Sequence, residues 1–223
     1  MTSPIITIDG PSGSGKGTIC QLLASALNFH LLDSGAMYRV TAVAAAQNGI
    51  DFTDQPALAT LAENLDVSFT ASDNGVVVIL DGIDITREIR QETASMGAST
   101  VAAYPAVRQA LLARQRAFAK ARGLVADGRD MGTTVFPQAE LKIFLTASAE
   151  ERAQRRYKQL RDRGESVSLR ALLEDIKARD ERDMQRSASP LKPANDAFLI
   201  DSSTMTIDEV LDKITLLAKG RVV

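Results

Sequence analysis

The chain has 223 residues, 45% of them hydrophobic and 24% charged, with a formal net charge of −2. That is enough for one large or two small soluble domains with a substantial core, and it gives no electrostatic case for a nucleic-acid or membrane partner. No apolar run approaches the roughly 20 residues of a membrane span, and Met1-Thr-Ser-Pro4 has neither the basic nor the apolar region of a signal peptide, so a cytoplasmic location is expected.

Ile5-Ile-Thr-Ile8 is short, apolar and β-branched, and reads as a buried strand. Gly10-Pro-Ser-Gly-Ser-Gly-Lys-Gly-Thr18 follows, and then an apolar helix carrying Ile19, Leu22, Leu23 and Leu27 on one face. Strand, glycine loop and helix are the context that a phosphate-binding P-loop requires. In the loop of Gly10, Pro11, Ser12, Gly13, Ser14 and Gly15, the glycines let successive backbone N–H groups turn inward around phosphate oxygens, and the helix start adds its positive dipole end. Lys16 would reach the β and γ phosphates. The spacing fits G-x-x-x-x-G-K, but Gly17 stands where a Ser or Thr is usual and the hydroxyl comes one place later at Thr18. A direct hydroxyl ligand to magnesium is therefore not given by the motif. The loop indicates a nucleoside triphosphate. By itself it does not choose between a kinase, a GTPase and a motor ATPase.

Cys20 is the only cysteine, which excludes an intrachain disulfide and a thiol metal cluster and suits a reducing compartment; on this helix it reads as a small core residue. His30, the only histidine, opens the next strand at 29–33 and reads as structural. β–α–β order predicts a right-handed crossover into a parallel sheet. Ser34 is a good N-cap for a helix through Ala46, and Tyr38 and Arg39 fall near its start. A short helix is expected over Gln55–Leu65. Residues 66–70 and 76–80, joined by Asp73-Asn-Gly75, read as an antiparallel hairpin, with a third short strand at 83–86. This meander reads as an inserted subdomain lying over a site.

Helices are expected at 88–103 and from Pro105 to about Ala121. Strands follow at 123–127 and 141–145, and Ser148 with Glu151 forms a capping-box pattern for a helix. From Glu150 to Arg163 that helix has six basic residues (Arg152, Arg155, Arg156, Lys158, Arg161, Arg163) against three acidic ones. Gly164 breaks it, and a second charged helix runs from Leu169 to about Arg186. A fifth strand at 198–201 and a last helix, with Thr206 and Glu209 as its capping box, complete the chain. Five buried strands alternating with helices predict a doubly wound α/β fold.

Three further features bear on chemistry. Asp33-Ser-Gly-Ala-Met-Tyr-Arg39 places a capped helix start at a strand end, a second anion site with Arg39 as a bidentate phosphate binder. Ala126-Asp-Gly-Arg-Asp130 ends the third sheet strand, where ligands bind in open α/β sheets. There Asp127 is a candidate to hold magnesium-bound water, with Arg129 a phosphate binder and Asp130 a hydrogen-bond acceptor. The third is the arginine-rich helix pair. A charge run is usually a solvated face, but a hinged, cationic flap also suits phosphoryl transfer, where charge must be clamped and water excluded.

With these residues in hand the chain resembles the bacterial cytidylate kinase family, the (d)CMP kinases among the nucleoside monophosphate kinases. The resemblance is carried by residues 9–18, 32–39, 125–132 and by Arg179-Asp-Glu-Arg-Asp183 with Arg186, and runs almost the full length. Gly17 then matches the family's G-K-G-T. The resemblance implies a P-loop nucleoside-kinase fold: one kinase domain over 1–223, its five-stranded parallel sheet flanked by helices (core about 1–50, 88–150 and 187–223), with a small antiparallel β insert at about 51–90 that binds the monophosphate and a helical lid at about 150–186. It implies ATP and Mg2+ as cofactors, CMP or dCMP as the small-molecule substrate, and a monomer. Lys16, Asp127, Arg129 and Arg186 would be catalytic. The loop from Gly10 to Thr18 and the lid's Arg155 and Arg156 would bind ATP, and Thr18 and Asp127 are candidates to hold magnesium through water. Cytosine recognition falls on Ser99, Arg108 and Asp130, the sugar on Arg179 and Asp183, and the acceptor phosphate on Arg39, Arg129 and Arg186 with Ser34 and Tyr38 nearby. The alternatives are a P-loop kinase for another small acceptor, a GTP-dependent switch, which the absence of an Asn-Lys-x-Asp stretch disfavours, and a DNA-associated ATPase, which the acidity disfavours.

Overall fold

The computed structural model describes residues 3–72, 75–119 and 122–222. They form two compact units, Met1–Asp33 with Arg116–Val223, and Ser34–Gln115.

The first unit is built on a parallel sheet of five strands: β1 (Ile5–Asp9), β2 (His30–Asp33), β6 (Leu124–Gly128), β7 (Leu141–Thr146) and β8 (Phe198–Asp201), ordered β2-β6-β1-β7-β8. The central strand β1 pairs Ile8 with Asp127 of β6 and with Ile143 of β7. Strands this apolar are buried because both sheet faces are covered, which is the usual state of a parallel sheet. Helix α1 (Lys16–Leu27) and the last helix α8 (Ile207–Lys219) flank the sheet and share a core of Ile6, Ile8, Ile19, Leu23, Ile143, Leu145 and Ile214. Helices α6 (Ala149–Asp162) and α7 (Leu169–Gln185) pack together, and Gly164 between them takes a left-handed φ of +80°. The expected parallel α/β sheet is what forms.

The second unit holds helices α2 (Ser34–Gln47), α3 (Gln55–Glu63), α4 (Glu92–Val101) and α5, which runs to Arg116 from Pro105, with a separate antiparallel sheet of β3 (Val67–Ser72), β4 (Gly75–Leu80) and β5 (Ile83–Asp84). Val67 pairs with Leu80 and Phe69 with Val78, as a hairpin requires. The residues at 73 and 74 of the expected turn lie outside the described residues. Met37, Val40, Leu58, Leu80, Ile85 and Leu111 form the core. This compact unit takes in the helices on either side of the meander as well as the meander itself.

Four local expectations change. The helix expected over 88–103 is a short 3-10 turn, Glu88–Arg90, then α4, because Gln91 is extended (φ −73°, ψ 155°) and caps α4. Helix α5 stops at Arg116, whose guanidinium donates to the carbonyls of Val135 (3.0 Å) and Thr134 (3.2 Å) instead of continuing the helix; residues 120 and 121 lie outside the described residues. Ser34 is the first residue of α2 and not the cap ahead of it, and its hydroxyl donates to Gln115 Oε1 at 2.7 Å. The capping box at Ser148 is half formed: Ser148 Oγ accepts from the Glu151 amide, but the Glu151 carboxylate accepts from Arg155. The one at Thr206 and Glu209 is complete. Among the described residues no helix is long and apolar enough to cross a membrane.

Candidate active site

The P-loop leaves β1 through Gly10, whose φ is +153° and whose absent Cβ would lie 2.0 Å from the Leu145 carbonyl oxygen. Only glycine fits there. Three of the loop's carbonyls, those of Pro11, Ser12 and Ser14, accept from side chains. Lys16 Nζ donates to the Pro11 carbonyl at 3.0 Å. Arg152 Nη1 donates to the Ser12 carbonyl at 3.0 Å. Arg155 Nη1 and Ser202 Oγ approach the Ser14 carbonyl at 3.4 and 3.3 Å. With these carbonyls engaged, a loop of this kind offers its N–H groups to an anion. Ser14 is buried, and its Oγ has no hydrogen-bond partner among the described residues.

Lys16 is buried at the start of α1. Burial lowers its pKa, with the Asp127 carboxylate acting in the opposite direction and Arg129 adding to the lowering. A charged lysine held out of water beside other cations is a group poised to gain from an anionic ligand. Gly17 faces Asp127: a Cβ on it would stand 3.4 Å from Asp127 Oδ2. Thr18 is exposed on the first turn of α1. Cys20, one turn beyond Lys16, is fully buried, and burial pushes its thiol up, so it stays a protonated core group.

Beyond β6 the chain makes a single π-type turn over Met131–Val135. Its start is held by Asp9, the last residue of β1, whose two carboxylate oxygens accept from the Met131 and Gly132 amides, each at 2.8 Å. Burial pushes the Asp9 carboxyl up to about 7, against the pull of those two amides. Asp130, immediately before the turn, is also buried. Arg129 is paired with Asp183 of α7 through Nε and Oδ2. Arg186 adds a guanidinium 3.7 Å from the other oxygen of Asp183 and donates Nε–H to the Ser189 carbonyl at 2.7 Å. Burial raises the Asp183 carboxyl, but Arg129, Arg186 and Arg179 together hold it below the ordinary carboxylate range. Five of the expected residues, Asp127, Arg129, Arg179, Asp183 and Arg186, thus share one electrostatic cluster in the first unit.

The arginines expected of a lid, Arg155 and Arg156 on α6, differ in placement. Arg155 is turned onto backbone: besides Ser14 it donates to the Ser202 carbonyl at 2.6 Å. Arg156 donates to Gln159 one turn along its own helix, at 2.8 Å. In the second unit, the Arg108 guanidinium lies 5.5 Å from the Tyr38 ring centroid and donates to the Ala102 carbonyl at 3.0 Å. Ser99 on α4 is 7% exposed, and its Oγ has no hydrogen-bond partner among the described residues. A buried, unsatisfied hydroxyl costs stability unless a ligand satisfies it. Arg39 is half-buried on α2.

The family model for cytidylate kinase matches residues 6–220. The chain belongs to the cytidylate kinase family. A cytidylate kinase from Stutzerimonas stutzeri (strain A1501) is 62% identical over 213 residues, 95% of this chain and 93% of that protein. One from Vibrio cholerae serotype O1 is 59% identical over 211 residues, covering 95% and 94% of the two chains. Among solved structures, a gluconokinase from Sinorhizobium meliloti 1021 has a TM-score of 0.48 at 15% identity, over 99% of this chain and 96% of its own.

Four residues behind the site, Asp9, Arg152, Asp180 and Ser202, carry no role in the sequence analysis. Asp9 adjoins the P-loop and is an acid at the end of an otherwise apolar strand, which is a usable signal for a structural carboxylate. Asp180 falls within the Arg179–Asp183 stretch that carries the resemblance, but nothing there marks it as a partner for Arg152, which is one of six basic residues from Glu150 to Arg163.

Proposed function

We propose that the protein transfers the γ-phosphoryl group of ATP to the 5′-phosphate of CMP or dCMP, giving ADP and CDP or dCDP. The observation that carries this reading is membership of the cytidylate kinase family across residues 6–220, and the P-loop geometry supports the donor half. The family favours this over a kinase for another acceptor or a GTP-dependent switch.

The acceptor nucleophile is already a phosphate oxygen, so no strong base is needed, and catalysis consists of positioning and charge neutralisation. Lys16 and the loop amides from Gly10 to Thr18 bind the β and γ phosphates, with Arg155 and Arg156 as lid contacts to ATP. Arg129 and Arg186, oriented by Asp183, neutralise charge on the acceptor phosphate and the transferred group, and Arg39, Ser34 and Tyr38 add to the acceptor-phosphate contacts. Arg108, Ser99 and Asp130 read cytosine: an arginine donates to the ring carbonyl and N3, and a carboxylate accepts from the exocyclic amine. Asp183 and Arg179 contact the sugar.

Magnesium fits this residue set. The ion is usually held by one or two carboxylates with phosphate oxygens and several waters, and Asp127, half-buried beside the small Gly17, supplies one carboxylate, with Thr18 nearby in sequence. Bound there, the ion would neutralise phosphate charge. Among the described residues no three His, Cys, Asp or Glu side chains group as a protein-only metal cage. The protein is read as a cytoplasmic monomer acting on small molecules, a reading supported by its lone buried cysteine and its net charge of −2.

Chromatography of a reaction containing Mg-ATP and CMP or dCMP tests this directly. The expected products are ADP with CDP or dCDP. Absence of a cytidine diphosphate, or a faster reaction with GTP, would overturn the assignment.

A further inference from the structure

The backbone of a P-loop has to be held rigid from behind, because its amides face the ligand and provide no internal bracing. Here the bracing comes from Arg152. Its guanidinium is 4% exposed and has every edge engaged: Nε donates to the Ala147 carbonyl at 2.9 Å, Nη1 to the Ser12 carbonyl at 3.0 Å and to Asp180 Oδ1 at 3.0 Å, and Nη2 to Asp180 Oδ2. The fork is bidentate, which fixes orientation as well as charge. Gly13 lies directly over the stem: its φ is +78°, and a Cβ on it would come within 3.3 Å of Arg152 Cβ. The loop therefore rests on this arginine at two consecutive residues, Ser12 and Gly13.

Asp180 is on α7, one turn before Asp183. The two carboxylates, at i and i+3, lie on the same helix face. Asp183 takes Arg129 from the turn after β6, and Asp180 takes Arg152 behind the P-loop. We propose that Arg152 and Asp180 are positioning residues for the phosphate-donor loop, and that α7 acts as a strut with the donor loop fixed at one carboxylate and Arg129 at the next. On this proposal neither residue contacts the nucleotide. Both act through the Ser12 carbonyl, which sets the direction of the loop amides that follow it. The inference rests on the P-loop being the ATP site.

Equilibrium binding of ATP and of CMP, each measured separately by calorimetry on wild type, Arg152→Lys, Asp180→Asn and the double variant, tests it, with circular dichroism to confirm folding. Lysine keeps the charge but cannot hold Ser12 and Asp180 together, and asparagine keeps the shape but loses the charged fork. Each single variant is expected to weaken ATP binding by about tenfold or more, with CMP affinity within about twofold. The double variant is expected to be no worse than the weaker single one, because the two residues act as one unit. Should Arg152→Lys not fold, Asp180→Asn, with its side chain 15% exposed, carries the test alone. Folded variants with unchanged ATP affinity, or an equal loss for ATP and CMP, would overturn the proposal. Wild-type protein that bound no ATP would overturn the donor reading and this inference with it, whereas wild-type binding with unaltered variants overturns the inference only.

Discussion

The two compact units solve the problem of burying polar groups differently. In the unit formed by Met1–Asp33 and Arg116–Val223, the described buried residues include six charged ones: Asp9, Lys16, Asp130, Lys142, Arg152 and Asp183. In Ser34–Gln115 the corresponding list has one, Arg108, among a core of alanines and aliphatic side chains. Buried charge is expensive unless each group is paired and hydrogen-bonded, and in the first unit three of the six meet that condition, Asp183 with Arg129, Arg152 with Asp180 and Lys142 with Asp196, while Asp9 is held by two backbone amides. The difference matches the larger part of the work proposed for each, although Asp130 of the first unit is assigned to the base and Arg39, Ser34 and Tyr38 of the second to the acceptor phosphate. Phosphates demand fixed charge with little reorganisation, while a neutral base is read by a few polar atoms set in apolar surroundings, where an unmatched donor or acceptor is heavily penalised.

Breaking the charged side of this contrast should have the largest effect. Lys16→Ala is expected to lower kcat/KM by at least about a thousandfold while far-ultraviolet circular dichroism stays unchanged; near-normal turnover would refute its role. Asp183→Ala leaves Arg129 buried without its partner and is expected to cost about 3–5 kcal/mol of stability by urea unfolding, as for other severed buried pairs. A loss below about 1 kcal/mol would mean that Arg129 finds other partners.

Two of the buried carboxylates, Asp9 and Asp183, also respond to pH with opposite sign. Asp9 holds its proton more tightly when folded, at about 7 against an ordinary 3.8. Its contribution to stability is therefore full below about pH 4 and is lost as pH rises toward 7, at up to about 1.4 kcal/mol per pH unit. Asp183 is shifted down, so its contribution is present above the ordinary range and lost as pH falls. Unfolding free energies between pH 4.5 and 7.5 should fall less steeply in Asp9→Asn than in wild type, and identical slopes would contradict the assignment.

The smallest effect is expected in the apolar unit. Ser99→Ala removes a buried hydroxyl with no partner among the described residues. It should leave stability within about 0.5 kcal/mol and raise KM for CMP several-fold. A large loss of stability would show that the hydroxyl is satisfied within the protein.

How much of this was legible in the sequence follows the range of each interaction. The P-loop, its flanking strand and helix, and the hairpin around β3 and β4 depend on neighbours within a few residues, and their residue types state them. Helix ends were less legible: Gln91 has no punctuating Gly or Pro, and no Gly or Pro directly follows Arg116, the last residue of α5, whose guanidinium bonds a turn 18 and 19 residues away. The family resemblance pointed to Arg129 and Asp183 as site residues, but not to their pairing across 54 positions. Arg152 reaches Ser12 across 140 positions. From sequence it was one of six basic residues on a helix, and nothing in that spacing sets it apart from its exposed neighbours.

The role proposed for Arg108, in the more apolar unit, in reading the base is tested most directly by a specificity ratio. This is kcat/KM for CMP divided by kcat/KM for AMP, measured at saturating Mg-ATP in wild type and in Arg108→Ala. The expected result is a high ratio in wild type that falls by about tenfold or more in the variant, with KM for ATP unchanged. A ratio untouched by the substitution, or one that favours AMP in wild type, would contradict the account.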